Sequence, residues 1–365
     1  MNPAPADATR VATESPPGLD LTALASFMVR RGIDLEGRLR ADLFAGGRSN
    51  LTYAVTDGAR RWVVRRPPLA HVLPTAHDMT REWRVISSLR ATGIPVPGAL
   101  ALCTDPGVIG APFYVMDFVA GHVVRDRLPD EWPATASTGR AMAGALVETL
   151  LRLHRIEPAA VGLADFGHPD GFLERQVRRW RQQWEASKTR DLPAIDELHR
   201  RLVAGLPAQS APGIVHGDYR LDNLIYAPAE PGRVAAVVDW ELSTVGDPLC
   251  DLGLLLVYWV TAGDDPGASA FPGGRITLRE GFPTGRALIE SYAAGSNRDL
   301  ATLEWYVALG HYKLAIIAEG IHARFLLGKT VGEGFETMGP AVPLIVDGAL
   351  QRASKSGLAG LSGGD

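Results

Sequence analysis

Cysteine is nearly absent from this chain. Cys103 and Cys250 are the only two in 365 residues, far apart and each in an apolar setting. That excludes a disulfide framework and argues against a thiolate zinc site, so both read as reduced core thiols. No apolar run approaches the length needed to cross a bilayer. An excess of basic charge is also missing. A net charge of −4 removes the electrostatic case for a nucleic-acid partner or an anionic membrane surface. Residues 1–18, rich in Pro and Ala, have no apolar core segment and read as a disordered leader rather than a signal peptide. A cytoplasmic location is the expectation. No internal repeat is evident. Hydrophobic residues make up 46% of the chain, enough to bury a substantial core in one bilobal unit or two domains.

The chemistry is concentrated between residues 214 and 248. Two apolar, β-rich runs each deliver a carboxylate at their C-terminal edge: Asp218 after Gly213-Ile214-Val215, and Asp239 after Val234-Ala235-Ala236-Val237-Val238. Asn223 lies five residues beyond Asp218. Phosphoryl transfer needs this order: one carboxylate takes the proton of an attacking hydroxyl, while an Asn and a second carboxylate hold Mg2+ on the nucleotide phosphates. An Asp or Asn at a strand end often only caps a turn, and Asp222 taken alone reads that way. His216, Asp218, Asn223 and Asp239 together, joined by two strands, read as a site.

The string His216-Gly217-Asp218-Tyr219-Arg220-Leu221-Asp222-Asn223, followed by Asp239-Trp240-Glu241, resembles the aminoglycoside phosphotransferase superfamily, whose fold is similar to that of protein kinases. The longer string from Asp239 to Gly253 resembles one branch in particular, the kinase-like domain of bacterial phosphotransferases and of some acyl-CoA dehydrogenase family members. The resemblance covers about residues 38–350. It implies an α+β, protein-kinase-like bilobal fold, with a small β-rich N-terminal lobe carrying one helix and a larger, mainly helical C-terminal lobe. The expected division is 19–119 for the first lobe, 120–355 for the second, and a flexible tail over 356–365.

Ahead of that segment, Asp20 is placed to cap a short helix that stops at Gly32. Residues 39–66 read as three strands, with Asp57-Gly58 as a hairpin turn. Gly46-Gly47, before the second strand, reads either as a tight turn or as a loop whose N–H groups, with Ser49, wrap phosphates. The resemblance implies the second. Arg65 stands where kinases place a phosphate-binding Lys; an Arg stays charged and bridges phosphate oxygens bidentately. Residues 76–93 read as an amphipathic helix with Met79, Trp83, Ile86 and Leu89 on its apolar face. Glu82 there is ordinarily a surface residue favouring the helix dipole; by resemblance it pairs with Arg65. Strand-like segments at 98–103 and 113–116 lead to Asp117-Phe118, the expected hinge, where backbone near Met116 and Phe118 would hold adenine.

Beyond residue 137 the pattern is helical. His154 reads as a packed structural histidine. Arg175, Arg178, Arg179 and Arg181 form a basic helix face, read as solvated or as a patch for an anionic substrate. Asp251 opens an apolar helix and by resemblance braces the catalytic-loop backbone. The stretch from Leu303 to Gly328 carries Tyr306, His311, Tyr312, Lys313, Glu319, His322 and Arg324 among apolar residues, a mixture that is either satisfied internally or lines a cleft.

The expectation is an enzyme using ATP and Mg2+, acting on a small-molecule hydroxyl. Asp218 is its base, Asn223 and Asp239 are its metal ligands, Arg65 and the Gly46–Ser49 turn hold phosphates, and Glu241 either assists a second metal or bonds the loop. The mixed charge of residues 255–350 and the basic helix favour a hydroxy acid or hydroxyacyl-CoA as acceptor. Two other readings are an aminoglycoside phosphotransferase, whose polycationic substrate calls for acidic walls, and a non-catalytic nucleotide-binding module. Protein-kinase activity is disfavoured, because no activation-segment-like stretch separates Asp239 from Asp247-Pro248.

Overall fold

The computed structural model describes residues 15–44, 50–69, 78–260, 275–279, 281–329 and 334–363. The chain falls into two units, Met1–Ala120 with Ala236–Glu241, and Gly121–Ala235 with Leu242–Asp365.

The first unit is built on one antiparallel sheet. Its strands are β1 (Arg40–Leu43), β2 (Leu51–Thr56), β3 (Arg61–Arg66), β4 (Ala99–Cys103) and β5 (Phe113–Asp117), in the order β1-β2-β3-β5-β4. Asp57 makes the β2–β3 turn, its Oδ1 accepting from the N–H groups of Ala59 (2.9 Å) and Arg60 (2.7 Å). Strand side chains alternate between faces. Tyr53, Val55, Trp62, Val64, Phe113 and Val115 therefore point one way, into a core shared with Leu24, Phe27 and Met28 of helix α1 (Leu21–Arg30). Asp20 caps α1 through the N–H groups of Thr22 and Ala23. The other face presents the row Thr52, Arg65 and Tyr114, adjacent in register across β2, β3 and β5.

Helix α2 (Met79–Leu89) is capped by Asp78 and buries Met79, Glu82, Val85, Ile86 and Leu89. The buried stripe thus runs through Glu82, which is 2% exposed, while Trp83, expected on that stripe, is only partly buried.

In the second unit, β7 (Gly213–Val215) pairs with β10 (Thr244–Gly246), and β6 (His122–Val123), β8 (Leu224–Ala227) and β9 (Glu230–Val237) form a small sheet. The last two residues of β9 already belong to the first unit. Around these lie α3 (Ala136–His154), α4 (Phe172–Ser187), α5 (Pro193–Ala204), α6 (Leu249–Tyr258), α7 (Gly285–Gly295), α8 (Leu303–Leu326) and α9 (Met338–Lys355). Helix α8 is buried on nearly every side, the mark of a central core helix.

Two features depart from the sequence reading. Residues 338–355, for which no helix was expected, form α9 with Pro343 inside it. Leu361, in the tail expected to be flexible, is fully buried: Gly360 lies against the Ala204 carbonyl, and a Cβ there would come within 2.5 Å of it.

Candidate active site

In the first unit, the face of the sheet opposite that core carries a largely buried ionic cluster. Arg65 projects from the middle strand, and its Nε stands 2.8 Å from Glu82 Oε2. Its Nη2 donates to Asp239 Oδ1 at 2.6 Å and reaches Glu241 Oε2 at 3.5 Å. Tyr114 donates its hydroxyl to Glu82 at 2.9 Å. Asn50, 3% exposed, donates to Glu82 (2.9 Å) and Glu241 (3.0 Å). The expected Arg65–Glu82 pair is therefore present, within a larger network.

The segment bearing Asp239 is tied to this unit by Val237 N–H, which donates to the Pro95 carbonyl at 2.8 Å. Asp239 has φ +68°, the only left-handed non-glycine among the described residues. Such a conformation costs an L-residue of order 1 kcal/mol, and strained residues gather at functional sites.

The electrostatics follow from burial and charge count. Burial by itself would lower the pKa of the Arg65 guanidinium, but Glu82, Tyr114, Asp239 and Glu241 together push it above its ordinary value. Burial pushes the Glu82 carboxyl up, offset in part by Arg65 and the Tyr114 hydroxyl. Glu82, Asp239 and Glu241 all approach the Arg65 guanidinium, and of the three Asp239 is the most exposed, at one-third.

In the second unit, Asp218 sits on the loop between β7 and β8. Asn223, at the end of the short 3-10 turn Leu221–Asn223, donates through Nδ2 to the Asp218 carbonyl (2.8 Å) and to its Oδ2 (2.9 Å). Arg220 approaches the same Oδ2 at 3.3 Å and pairs with Asp222 at 3.1 Å. Asp222 is thus engaged by Arg220 as well as set in its turn. Burial raises its pKa against the pull of Arg220.

The loop is held from beneath. Asp251, fully buried, accepts from the N–H groups of His216 (2.6 Å) and Gly217 (2.8 Å). His154 Nε2 lies 3.5 Å from the same carboxylate, and its Nδ1 is 2.8 Å from the Tyr292 hydroxyl. His154 is the packed histidine the sequence suggested. Burial opposes ionisation of Asp251, but His154, His216 and the backbone donor hold its pKa below the ordinary value. Gly217 has φ +84°, and a Cβ there would meet the Leu242 carbonyl oxygen at 2.6 Å, so only glycine fits. From the other side, Lys313 of α8 donates to the Gly217 carbonyl at 2.5 Å.

Of the remaining expected site residues, Met116 is buried in β5, paired with Val63 and Ala99. Phe118 is half-buried beneath the Arg61 guanidinium, 3.6 Å from its ring centroid. Gly46, Gly47 and Ser49 lie outside the described residues. On the basic helix, Arg181 pairs with Glu185 and Asp196, Arg175 donates to the carbonyls of His168 and Asp170, and Arg178 and Arg179 are exposed. Cys103 and Cys250 are both free thiols.

Asn50, Tyr114 and Lys313 are the participants that sequence reasoning did not assign. The signal for Tyr114 was its place on the strand two positions before Met116. For Asn50 it was a polar residue opening an alternating strand.

As to metal, among the described residues no group of three or more His, Cys, Asp or Glu side chains is arranged to hold an ion unaided. Asp239 and Asn223 are each hard oxygen donors of the kind Mg2+ takes when phosphates and water complete its shell. No helix among the described residues is long and apolar enough to cross a membrane.

Comparison with known proteins bears on this geometry. The chain is 34% identical over 325 residues to acyl-CoA dehydrogenase family member 11 of Gallus gallus, and 34% identical over 329 residues to the Homo sapiens protein of that name. These matches cover 87% and 89% of this chain but 41% of each relative, so the chain spans about two fifths of their length. A Ralstonia eutropha crystal structure, provisionally named an aminoglycoside phosphotransferase, superposes with TM-score 0.77 at 32% identity, covering 92% of this chain and 98% of that one. A macrolide 2'-phosphotransferase type I shares the fold at TM-score 0.58 and 18% identity, covering 92% and 98%. The kinase-like α+β fold is thereby established. Since the model of the phosphotransferase enzyme family matches residues 40–288, a span holding Arg65, Glu82, Asp218, Asn223 and Asp239, the chain belongs to that family.

Proposed function

We propose that this protein transfers the γ-phosphoryl group of ATP, in a Mg2+-dependent reaction, to a hydroxyl of a small hydroxy acid or hydroxyacyl-CoA. The observation that carries the reading is Asp218: a partly exposed carboxylate on a loop whose backbone is fixed by buried Asp251. Asp218 takes the acceptor proton as the new O–P bond forms and the bond to ADP breaks. Asn223 orients the carboxylate by donating to its Oδ2, and Arg220 approaches the same oxygen at 3.3 Å. In this chemistry positioning and electrostatics supply most of the rate, and the braced loop is suited to both.

Mg2+, when bound, neutralises charge on the phosphates; Asn223 and Asp239 would hold it. The partly exposed carboxylate of Asp239 supports a cation there. Arg65, anchored by Glu82, directs its charge to the phosphate side, and Glu241, bonded to Asn50, serves to hold the network. Gly46, Gly47 and Ser49 would cover the phosphates, and the backbone near Met116 and Phe118 would take the adenine.

The acceptor class rests on charge and kinship. Helix α4 exposes Arg178 and Arg179, and Lys313 stands beside the catalytic loop, a poor lining for a polycation such as an aminoglycoside. The acyl-CoA dehydrogenase names of the relatives lend support to an acyl substrate. The test is ADP release in Mg2+ against hydroxyacyl-CoAs, free hydroxy acids, aminoglycosides and simple alcohols. Stimulation by the acyl compounds is expected; stimulation by an aminoglycoside alone would overturn the acceptor assignment.

A further inference from the structure

Lys313 has no part in the chemistry above, yet its setting is unusual for a lysine. It lies on α8, the central helix of its unit, only partly exposed among buried neighbours. Its ammonium carries three N–H groups, and among the described residues its one hydrogen bond is to the Gly217 carbonyl, 2.5 Å away, one residue before the base. The Trp180 ring lies beneath it, 5.7 Å from Nζ to the centroid. A cation this withdrawn from water is ordinarily paired with a carboxylate. Here no described carboxylate comes within 4 Å, although Asp218 and Asp251 are close enough to attract it. Arg179 adds like charge, and burial holds the ammonium's pKa below its ordinary value. The result is an incompletely paired cation whose unused N–H groups stand next to the carboxylate that must meet the acceptor hydroxyl.

We infer that Lys313 is the receptor for the acyl oxygen of the acceptor, a carboxylate or a thioester carbonyl a few bonds from the hydroxyl that Asp218 deprotonates. This deepens the hydroxy-acid reading above and rests on it. Lys313 orients the acceptor by one end while Asp218 takes the other, and Trp180 walls the space between. A ligand oxygen would complete the ammonium's hydrogen bonding, which the protein leaves unfinished. An acceptor without such an oxygen loses this contact and gains nothing from the lysine.

The test compares the full chain with Lys313→Met and Lys313→Arg, using 3-hydroxybutanoate, its CoA thioester and 1,3-butanediol as probes. The two acyl probes separate the free acid from the thioester as source of the oxygen. The expected result is a KM rise of about 10-fold or more for whichever acyl probe is the better acceptor in Lys313→Met, corresponding to one lost charged hydrogen bond. Any loss that comes from the Gly217 contact falls on the diol as well, so the KM rise should be several-fold larger for the acyl probe than for the diol, and Lys313→Arg should recover part of that difference. Equal losses in kcat for acyl probes and diol would overturn the inference and confine Lys313 to holding Gly217. If the wild-type chain phosphorylates none of the probes, the acceptor reading fails separately, and calorimetric binding of both acyl probes decides Lys313. Binding lost in Lys313→Met supports the contact, and binding unchanged or absent in the wild type refutes it. A urea unfolding curve for each variant excludes misfolding as the cause.

Discussion

The two charged clusters are built on opposite principles. Around Arg65, one guanidinium is divided among three carboxylates, those of Glu82, Asp239 and Glu241. Around Gly217, Asp251 is met by two backbone donors and His154, while the Lys313 ammonium has only a carbonyl; there the missing partner is an oxygen that accepts. The function proposed above assigns metal-nucleotide to the first cluster and an oxygen-bearing acceptor to the second. The clusters also differ in what fixes them. Arg65 is set by a sheet row, and the loop by a buried carboxylate beneath it.

The sharpest way to break the contrast is to remove that carboxylate. Asp251→Asn leaves the loop N–H groups poorly accepted in a dry site. We expect a stability loss of about 3 kcal/mol, read as a lower urea midpoint, together with lost turnover. A midpoint unchanged within error would mean that the loop is fixed by something else.

A smaller effect is expected from Arg65→Lys. The charge survives, but a single ammonium cannot span Glu82, Asp239 and Glu241 as the fork does. Turnover per KM for ATP should fall about 10-fold, equivalent to about 1.4 kcal/mol. A variant equal to the wild type would show that the arginine is not needed for bridging.

Smallest is the pH dependence of stability. Burial lowers the His154 pKa, so the unfolded chain binds the proton first and stability declines as pH falls below about 6.5. The Asp251 pKa is also lowered; its contribution is whole above about 4 and is lost as pH falls through the folded value. Urea midpoints between pH 7.5 and 5 should therefore drop, and His154→Gln should flatten that slope.

Much of this was legible in the residues. Alternation in 51–56 and 61–66, with the Asp57-Gly58 turn, marks a hairpin, and the carboxylates after two apolar runs mark the candidate site. What was hidden depended on tertiary partners. Glu82 reads locally as a dipole-favouring surface residue, and only the row Thr52-Arg65-Tyr114 makes its place on the buried stripe intelligible. Helix α9 contains Pro340 and Pro343, residues that ordinarily end helices; Pro340 falls in its first turn, where no intrahelical donor is required, whereas Pro343 lies inside the helix and forgoes one intrahelical bond. The first half of β9, Glu230 to Arg233, has no apolar alternation and is a strand because β8 pairs beside it. Lys313 was visible as a polar residue in an apolar helix, but its contact with Gly217 spans a separation in sequence that no local pattern encodes.

The central claim is that Asp218 is the base of a phosphoryl transfer, and the most direct measurement is the Asp218→Asn protein. Its Mg2+-dependent ADP release with the best acceptor should be compared with its ATP affinity. The account predicts a kcat lower by about 1,000-fold, within the range for losing a general base, with ATP affinity unchanged. Turnover that survives the substitution, or ATP binding that is lost with it, would contradict the account.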